Sequence, residues 1–313
     1  MATASIDQSD GSPAGGPSAP SSSSGSSGPT AAAGRALASI PPTVLVLLDI
    51  VSAQLGSALA THLFGAVGSF GAVGLRLFFA SAVLLLFWRP SLRLDRRTWM
   101  IVVAFGIALG SMNLCFYQSL ARIPLGIAVT TEFLGPLAVA LAGSRRWLDA
   151  LWTLLAGGGV VLLTEGGGKL DLVGVLFALA AGACWGLYIL ASAALGRHTS
   201  EGDGLALGMA VAALIAVPFG VAGSGTAMLR PWVLALGLGV ALLSSVVPYT
   251  LDLEALRKMP PRVFGILMSL EPAVAALIGL VVLQESLGWT QWLAVLCVVA
   301  ASVGATRSAQ TGE

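Results

Sequence analysis

Between Thr43 and Thr306 the chain is a succession of ten apolar runs, most of them near the ~20 residues that a helix needs to cross a bilayer core. No water is present in such a core, so backbone N–H and C=O groups must pair within the segment, and a run of this kind folds as a helix. The runs cover roughly 43–62, 70–88, 100–120, 125–143, 151–164, 172–195, 204–222, 232–251, 263–283 and 289–306. Only 10% of the residues are charged and 56% are hydrophobic, whereas a soluble domain is about a quarter charged. That leaves too little polar surface to coat a water-soluble globule. The chain therefore reads as an all-α integral membrane protein with ten transmembrane helices.

Residues 1–38 differ in kind. Ser, Gly, Pro and Ala dominate, there is no aromatic residue, and Arg35 is the only base. Such a composition buries too little apolar area to offset the entropy of ordering, and it is expected to be a disordered cytoplasmic tail. It also lacks the basic start and compact apolar core of a cleaved signal peptide.

The bases between the runs test orientation. With the tail inside, the inner connections hold Arg35, Arg89, Arg93, Arg96, Arg97, Arg145, Arg146, Arg197, Arg257, Lys258, Arg262 and Arg307, and the outer ones only Arg122, Lys169 and Arg230. This imbalance satisfies the positive-inside rule with ten spans and both termini cytoplasmic. Trp88, Trp99, Trp147, Trp152, Trp232, Trp289 and Trp292 fall near span ends, as an aromatic belt requires, and Trp185 falls mid-span.

A shift of 136 residues lays Pro124 on Pro260 and Pro136 on Pro272. The segments IPLGIAVTTEFLGPLAVAL (123–141) and MPPRVFGILMSLEPAVAAL (259–277) then read as one element written twice. The chain divides into a tail (1–38), a first five-helix repeat (39–169), a second (170–307) and a short end (308–313). Five is odd, so the second copy enters the membrane inverted, and inverted repeats place a site near the midplane between them. Gly106/Gly110, Gly182/Gly186 and Gly204/Gly208 are small-xxx-small pairs that read as helix packing.

A fixed charge at mid-membrane costs roughly 2.5–3.5 kcal/mol on insertion scales and calls for a partner or a water-filled cavity. Glu132 and Glu271 lie in the two matched segments. Pro136 and Pro272 are expected to kink those helices and to free the carbonyls of Glu132 and Met268. Each glutamate is either a binding or proton-carrying group or a hydrogen-bonded structural acid at a kink. Under the shift Glu132 falls on Met268 and Glu271 on Gly135, so the acids are not symmetry copies, and two distinct roles follow. Arg76, about two turns into the second run, either holds a carboxylate through its bidentate fork or serves as counter-ion to Asp49 or Glu132. In PYTLDLEAL, Asp252 is an interfacial, gating or binding residue, with Tyr249 one turn before it. Asn113 and Tyr117 share a face at i, i+4, as do Trp185 and Tyr188 at i, i+3. Gln54 offers a donor and an acceptor in the first run.

Cys115, Cys184 and Cys297 stand singly, and His62 and His198 are isolated. Neither a metal site nor a cofactor is expected, and neither is a nucleic-acid surface. A membrane-embedded enzyme or sensor would need a nucleophile, metal set or effector domain, and none is visible. Small-residue pairs serve packing within one chain or between two, so the state is monomer or homodimer.

The segments MNLCFYQSLARIPLGIAVTTEFLGPLAVAL (112–141), GACWGLYIL (182–190) and PYTLDLEAL…MSLEPAVAA (248–276) resemble those of the threonine/homoserine exporters, which form part of the ten-helix EamA branch of the drug/metabolite transporter superfamily. The likeness runs from about Thr43 to Thr306. It includes an Arg in the second span, here Arg76, and a Glu closing the ninth, here Glu285. Asp49 lies outside that pattern. The resemblance implies a bacterial cell-membrane protein that exports small amino acids by alternating access, coupled to protons, with lipid and substrate as its partners. Drugs or other metabolites are the alternative cargo on the same fold.

Overall fold

The structure, a computed structural model, describes residues 40–142, 151–152, 154–159, 162, 171–199 and 201–308. The expected tail 1–38 and residues 153, 160–161 and 163–164 of the expected fifth span lie outside the described residues, and the rest of that span is helical. The described residues form helices and short turns, with no strand among them. In chain order the helices are α1 (Pro42–Trp88), α2 (Arg96–Leu120), α3 (Leu125–Glu132), α4 (Leu134–Ala142), α5 (Leu172–Leu195), α6 (Glu201–Ser224), α7 (Pro231–Ala241), α8 (Val247–Lys258), α9 (Pro261–Met268), α10 (Glu271–Val282) and α11 (Trp289–Ser308). A 3₁₀ turn follows α6 at Gly225–Leu229, and a π-helical stretch, Leu242–Val246, joins α7 to α8.

Among the described residues six stretches are long and apolar enough to cross a membrane: α1, α2, α5, Gly202–Leu229, Pro231–Lys258 and Val263–Val282. Leu125–Val139 and Trp289–Gly304 are apolar but shorter. The count differs from ten for identifiable reasons. One is that α1 takes in the first two expected runs: its 47 residues would extend roughly 70 Å if straight, more than twice the ~30 Å of a hydrocarbon core. It is not straight. Gly68 adopts φ 64° and ψ 175°, a conformation that glycine alone enters readily, and divides α1 into arms 42–67 and 69–88. Ser224 Oγ, at the end of α6, donates to the carbonyl of Val67 at this corner, at 2.5 Å.

Helix ends follow the capping chemistry. Asp95 precedes α2 and accepts from the backbone N–H groups of Arg97 (3.0 Å) and Thr98 (3.2 Å), and from the Thr98 hydroxyl. These bonds, the Thr98 hydroxyl foremost, hold the exposed Asp95 carboxyl below the usual carboxylate range. Asp171 caps α5 in the same way through Val173 N–H at 2.9 Å. Pro124 gives α3 no side-chain cap. Instead Glu285, just beyond α10, accepts from the Leu125 N–H at 2.9 Å and ties the two helices together.

Close packing runs through the small residues, and within one chain. A Cβ at Gly106 would strike Val211 of α6, and one at Gly208 would enter the Phe105 ring. The two interrupted helices meet where Gly126 of α3 faces Ala276 of α10, with a Cβ only 2.7 Å from the Ala276 Cα. Large apolar side chains such as Leu86, Leu154, Leu214 and Trp289 are exposed on the outside. Asp49, Gln54, Arg76, Asn113 and Glu132 are buried inside. That inversion suits a protein surrounded by lipid with a polar centre.

Candidate functional site

Three prolines shape the centre by withholding a backbone donor. Pro136 cannot pair with the carbonyl four residues earlier, and α3 stops at Glu132, with Phe133 between it and α4. Pro272 acts likewise: α9 stops at Met268, Ser269 and Leu270 form a turn, and α10 begins at Glu271. The third, Pro248, follows the π-helical stretch and has no N–H to offer the Ser244 carbonyl four residues earlier. Arg76 Nη2 takes that carbonyl at 2.7 Å, and Arg76 Nε donates to Ser245 Oγ at 3.1 Å.

The two glutamates therefore sit at opposite ends of half-helices. Glu132 is the last residue of α3, where the helix dipole is negative, and Glu271 the first of α10, where it is positive. Behind Glu132 the backbone of α5 closes in. A Cβ at Gly182 would meet the Glu132 carbonyl oxygen, and one at Gly135 would fall on the Gly182 carbonyl. Behind the second break, Ser269 Oγ lies 2.7 Å from Ser302 Oγ of α11.

A cavity of about 950 Å³ opens between these breaks. Of the residues singled out in the sequence, Gln54, Arg76, Asn113, Glu132, Trp185, Tyr188, Tyr249, Asp252 and Glu271 line it, together with Pro136 and Asp49. Tyr117 does not. It is fully buried behind Arg76, with its hydroxyl 3.5 Å from Nη1 and its ring 5.5 Å from the guanidinium carbon. Pro272 is buried in α10 and also stays off the cavity wall. Gln54 Nε2 donates to Glu271 Oε1 at 3.0 Å, and Asn113 Nδ2 donates to the Leu109 carbonyl of its own helix at 2.9 Å. Trp185 stands edge-on to Phe133, the residue at the first break, and Tyr188 packs on Phe105. The carboxyl groups of Asp49 on α1 and Asp252 on α8 are neighbours on that wall and interact electrostatically.

Ser244, Ser245 and Pro248 escaped the sequence reading. A serine is cheap within an apolar helix and raises no flag, but Pro248 carried the same signal as Pro136 and Pro272. Arg76 was placed against Asp49 or Glu132 or a ligand. Its Nε and Nη2 bind the π-helical stretch, and Nη1 is 3.5 Å from the Tyr117 hydroxyl.

Acids and a guanidinium around one cavity, with broken helices pointing at it, is the layout of a small-molecule carrier. The sequence pattern of the EamA-like transporter family matches residues 172–307. Over 269 residues the chain is 43% identical to the threonine/homoserine exporter RhtA of Escherichia coli (strain K12), an alignment covering 85% of this chain and 91% of that protein. The chain belongs to the EamA-like transporter family. Its membership makes it a transporter rather than an enzyme. The RhtA of Salmonella typhimurium (strain SL1344) is 42% identical over the same length. The uncharacterized transporter YwfM of Bacillus subtilis (strain 168) is 27% identical over 239 residues, 72% of this chain and 80% of its own. A solved crystal structure shares the fold at 23% identity, with a TM-score of 0.57 over 86% of this chain and 98% of its own. The EamA match takes in Trp185, Tyr188, Tyr249, Asp252 and Glu271, and Arg76 and Glu132 lie N-terminal to it.

Proposed function

We propose that this EamA transporter exports small amino acids of the threonine/homoserine type from the cytoplasm of a bacterium, by alternating access coupled to protons. One observation carries the reading. A chain 43% identical to a threonine/homoserine exporter encloses a cavity lined by both a guanidinium and carboxyl groups, the pair of charges that a zwitterion needs.

Roles follow from the helix ends. Glu271 heads α10, where the dipole favours a carboxylate, and Gln54 already orients one of its oxygens. It receives the substrate ammonium. Glu132 ends α3, where the dipole favours a neutral acid, and carries the proton. Arg76, anchored on the π-helical stretch, steadies the substrate carboxylate. Tyr249, Trp185, Tyr188 and Asn113 complete the wall.

Ten crossings in two inverted halves suit this mechanism. The Gly68 corner supports two crossings within α1, and the matched breaks after Glu132 and Met268 support a repeat. Both termini then lie in the cytoplasm, at the plasma membrane.

Efflux of preloaded homoserine tests the assignment. Glu271→Gln lowers the rate about ten- to a hundred-fold, the worth of a lost charge-assisted contact. Glu132→Gln abolishes the response to an imposed pH gradient. Unaltered rates and unaltered pH response in both variants exclude the mechanism.

A further inference from the structure

The cavity is lined by four carboxyl groups, Asp49, Glu132, Asp252 and Glu271, against one base, Arg76. An amino acid of the threonine type brings one cation and one anion. On the reading above, Arg76 and Glu271 receive those, and Glu132 carries a proton. Asp49 and Asp252 are left over, neighbours on the same stretch of wall.

That proximity has a chemical requirement. An ionised carboxylate only accepts hydrogen bonds, so two carboxyl groups can bond each other only while a proton lies between them. A second observation concerns the surrounding acceptors. Gln54, only 3% exposed, has its Oε1 buried without a partner, because its amide nitrogen is committed to Glu271. Asp252 Oδ1 and Glu271 Oε2 are likewise buried and without a partner among the described residues. All three orphaned groups on the cavity wall are acceptors, and what they lack is a donor. A buried polar atom left unpaired is costly enough to mark where a ligand belongs.

We propose that Asp49 and Asp252 form a second cation subsite in this cavity, one that accepts the side-chain ammonium of a dibasic amino acid. The inference rests on the amino-acid reading above and extends its substrate class. Before substrate binds, the pair holds one shared proton. The incoming ammonium donates its N–H groups to both carboxylates and to the Gln54 carbonyl oxygen, and the shared proton leaves to the aqueous phase. Net charge in the subsite is unchanged by the exchange. The groups facing the pair are Glu271 from α10, Tyr249 from α8 and Tyr188 from α5, and Glu132 from α3 and Arg76 from the second arm of α1 line the same cavity. Of these Arg76 is the only cation, and its Nε and Nη2 are bound to Ser245 and the Ser244 carbonyl.

Calorimetry on the full chain in lipid nanodiscs decides it, with lysine, its uncharged analogue norleucine, and threonine as probes. Lysine binds about ten-fold or more tightly than norleucine, the difference expected of a buried charge pair. Its binding enthalpy varies with the ionisation enthalpy of the buffer, which reports release of about one proton per site. Asp49→Asn lowers the lysine-to-threonine affinity ratio about ten-fold or more. Equal binding of lysine and norleucine, or an unchanged ratio in Asp49→Asn, overturns the subsite. The lysine and norleucine comparison uses the unaltered chain, so a variant that fails to fold leaves the test intact. Lysine binding with proton release but no threonine binding supports the subsite and sinks the threonine-type reading. Threonine binding with lysine no tighter than norleucine does the reverse.

Discussion

Arg76 illustrates how one buried residue joins sequence logic to site chemistry. Pro248 has no N–H for a carbonyl, a π-helical stretch presents that carbonyl, and a guanidinium from another helix takes it at 2.7 Å. Lysine in its place keeps the charge but loses the fork that reaches Ser245 Oγ and the Ser244 carbonyl together. Arg76→Lys is expected to cost about 1–3 kcal/mol of stability, the penalty of an unpaired buried acceptor, readable as a lower melting temperature in detergent. Transport falls with it. At this scale the sequence was informative where a residue is expensive to bury. Glu132, Glu271, Arg76 and Asp252 stood out because a charge in lipid demands a reason. Ser244 and Ser245 stayed hidden because a hydroxyl in a helix costs little and usually bonds its own preceding turn, as Ser244 Oγ does to the Val240 carbonyl at 2.7 Å.

Among the elements, breaks and ends matter more than the helices between them. The helices in both matched segments end at Glu132 and Met268, the residues whose carbonyls Pro136 and Pro272 cannot pair with. The Gly68 corner was not legible, because one glycine among thirty-nine carries no signal in a chain that also uses glycine for packing. Its φ of 64° makes a specific expectation. Gly68→Val disfavours the turn by about 1–2 kcal/mol and depresses both stability and membrane yield, although no side chain stands in the way of a Cβ. Capping gives a pH test outside the bilayer. Asp95 titrates below the usual carboxylate range in the folded chain. Its stabilisation of α2 is complete above the unfolded carboxylate pKa and disappears as the pH falls through the lowered folded value. Asp95→Ala should therefore lower the melting temperature near neutral pH, and the gap from the parent should close in strong acid. At the other end of the helix pair, Glu285→Gln preserves an acceptor for the Leu125 N–H, whereas Glu285→Ala removes it. The alanine variant should lose about 1–3 kcal/mol and the glutamine variant much less.

For the whole molecule, the sequence spoke through charge and spacing. Bases concentrated in alternate connections and a 136-residue proline repeat predict a topology that single-cysteine labelling checks directly. With Cys115, Cys184 and Cys297 replaced, Ser91→Cys is expected to react only with reagent admitted to the cytoplasm, and Thr226→Cys only with reagent outside. Labelling of both from one side rejects the ten-crossing arrangement. What spacing could not convey is how the halves touch, since glycine pairs look alike whether they face a neighbouring helix or a second chain. Gly106 and Gly208 turn out to join α2 to α6, and Gly126 joins α3 to α10.

Contact at Gly126 and Gly182 sets how force passes through the molecule. Side chains that touch can slip between rotamers and absorb a small displacement. Backbone pressed against backbone, as where Gly182 meets the Glu132 carbonyl, has no such slack. A shift of the half-helix that carries Glu132 is therefore expected to press on α5 at Gly182 and on α10 at Ala276. The site is thus geared to its walls: a tilt of either broken helix turns the acids, the aromatic lining and the opposite half as one linkage.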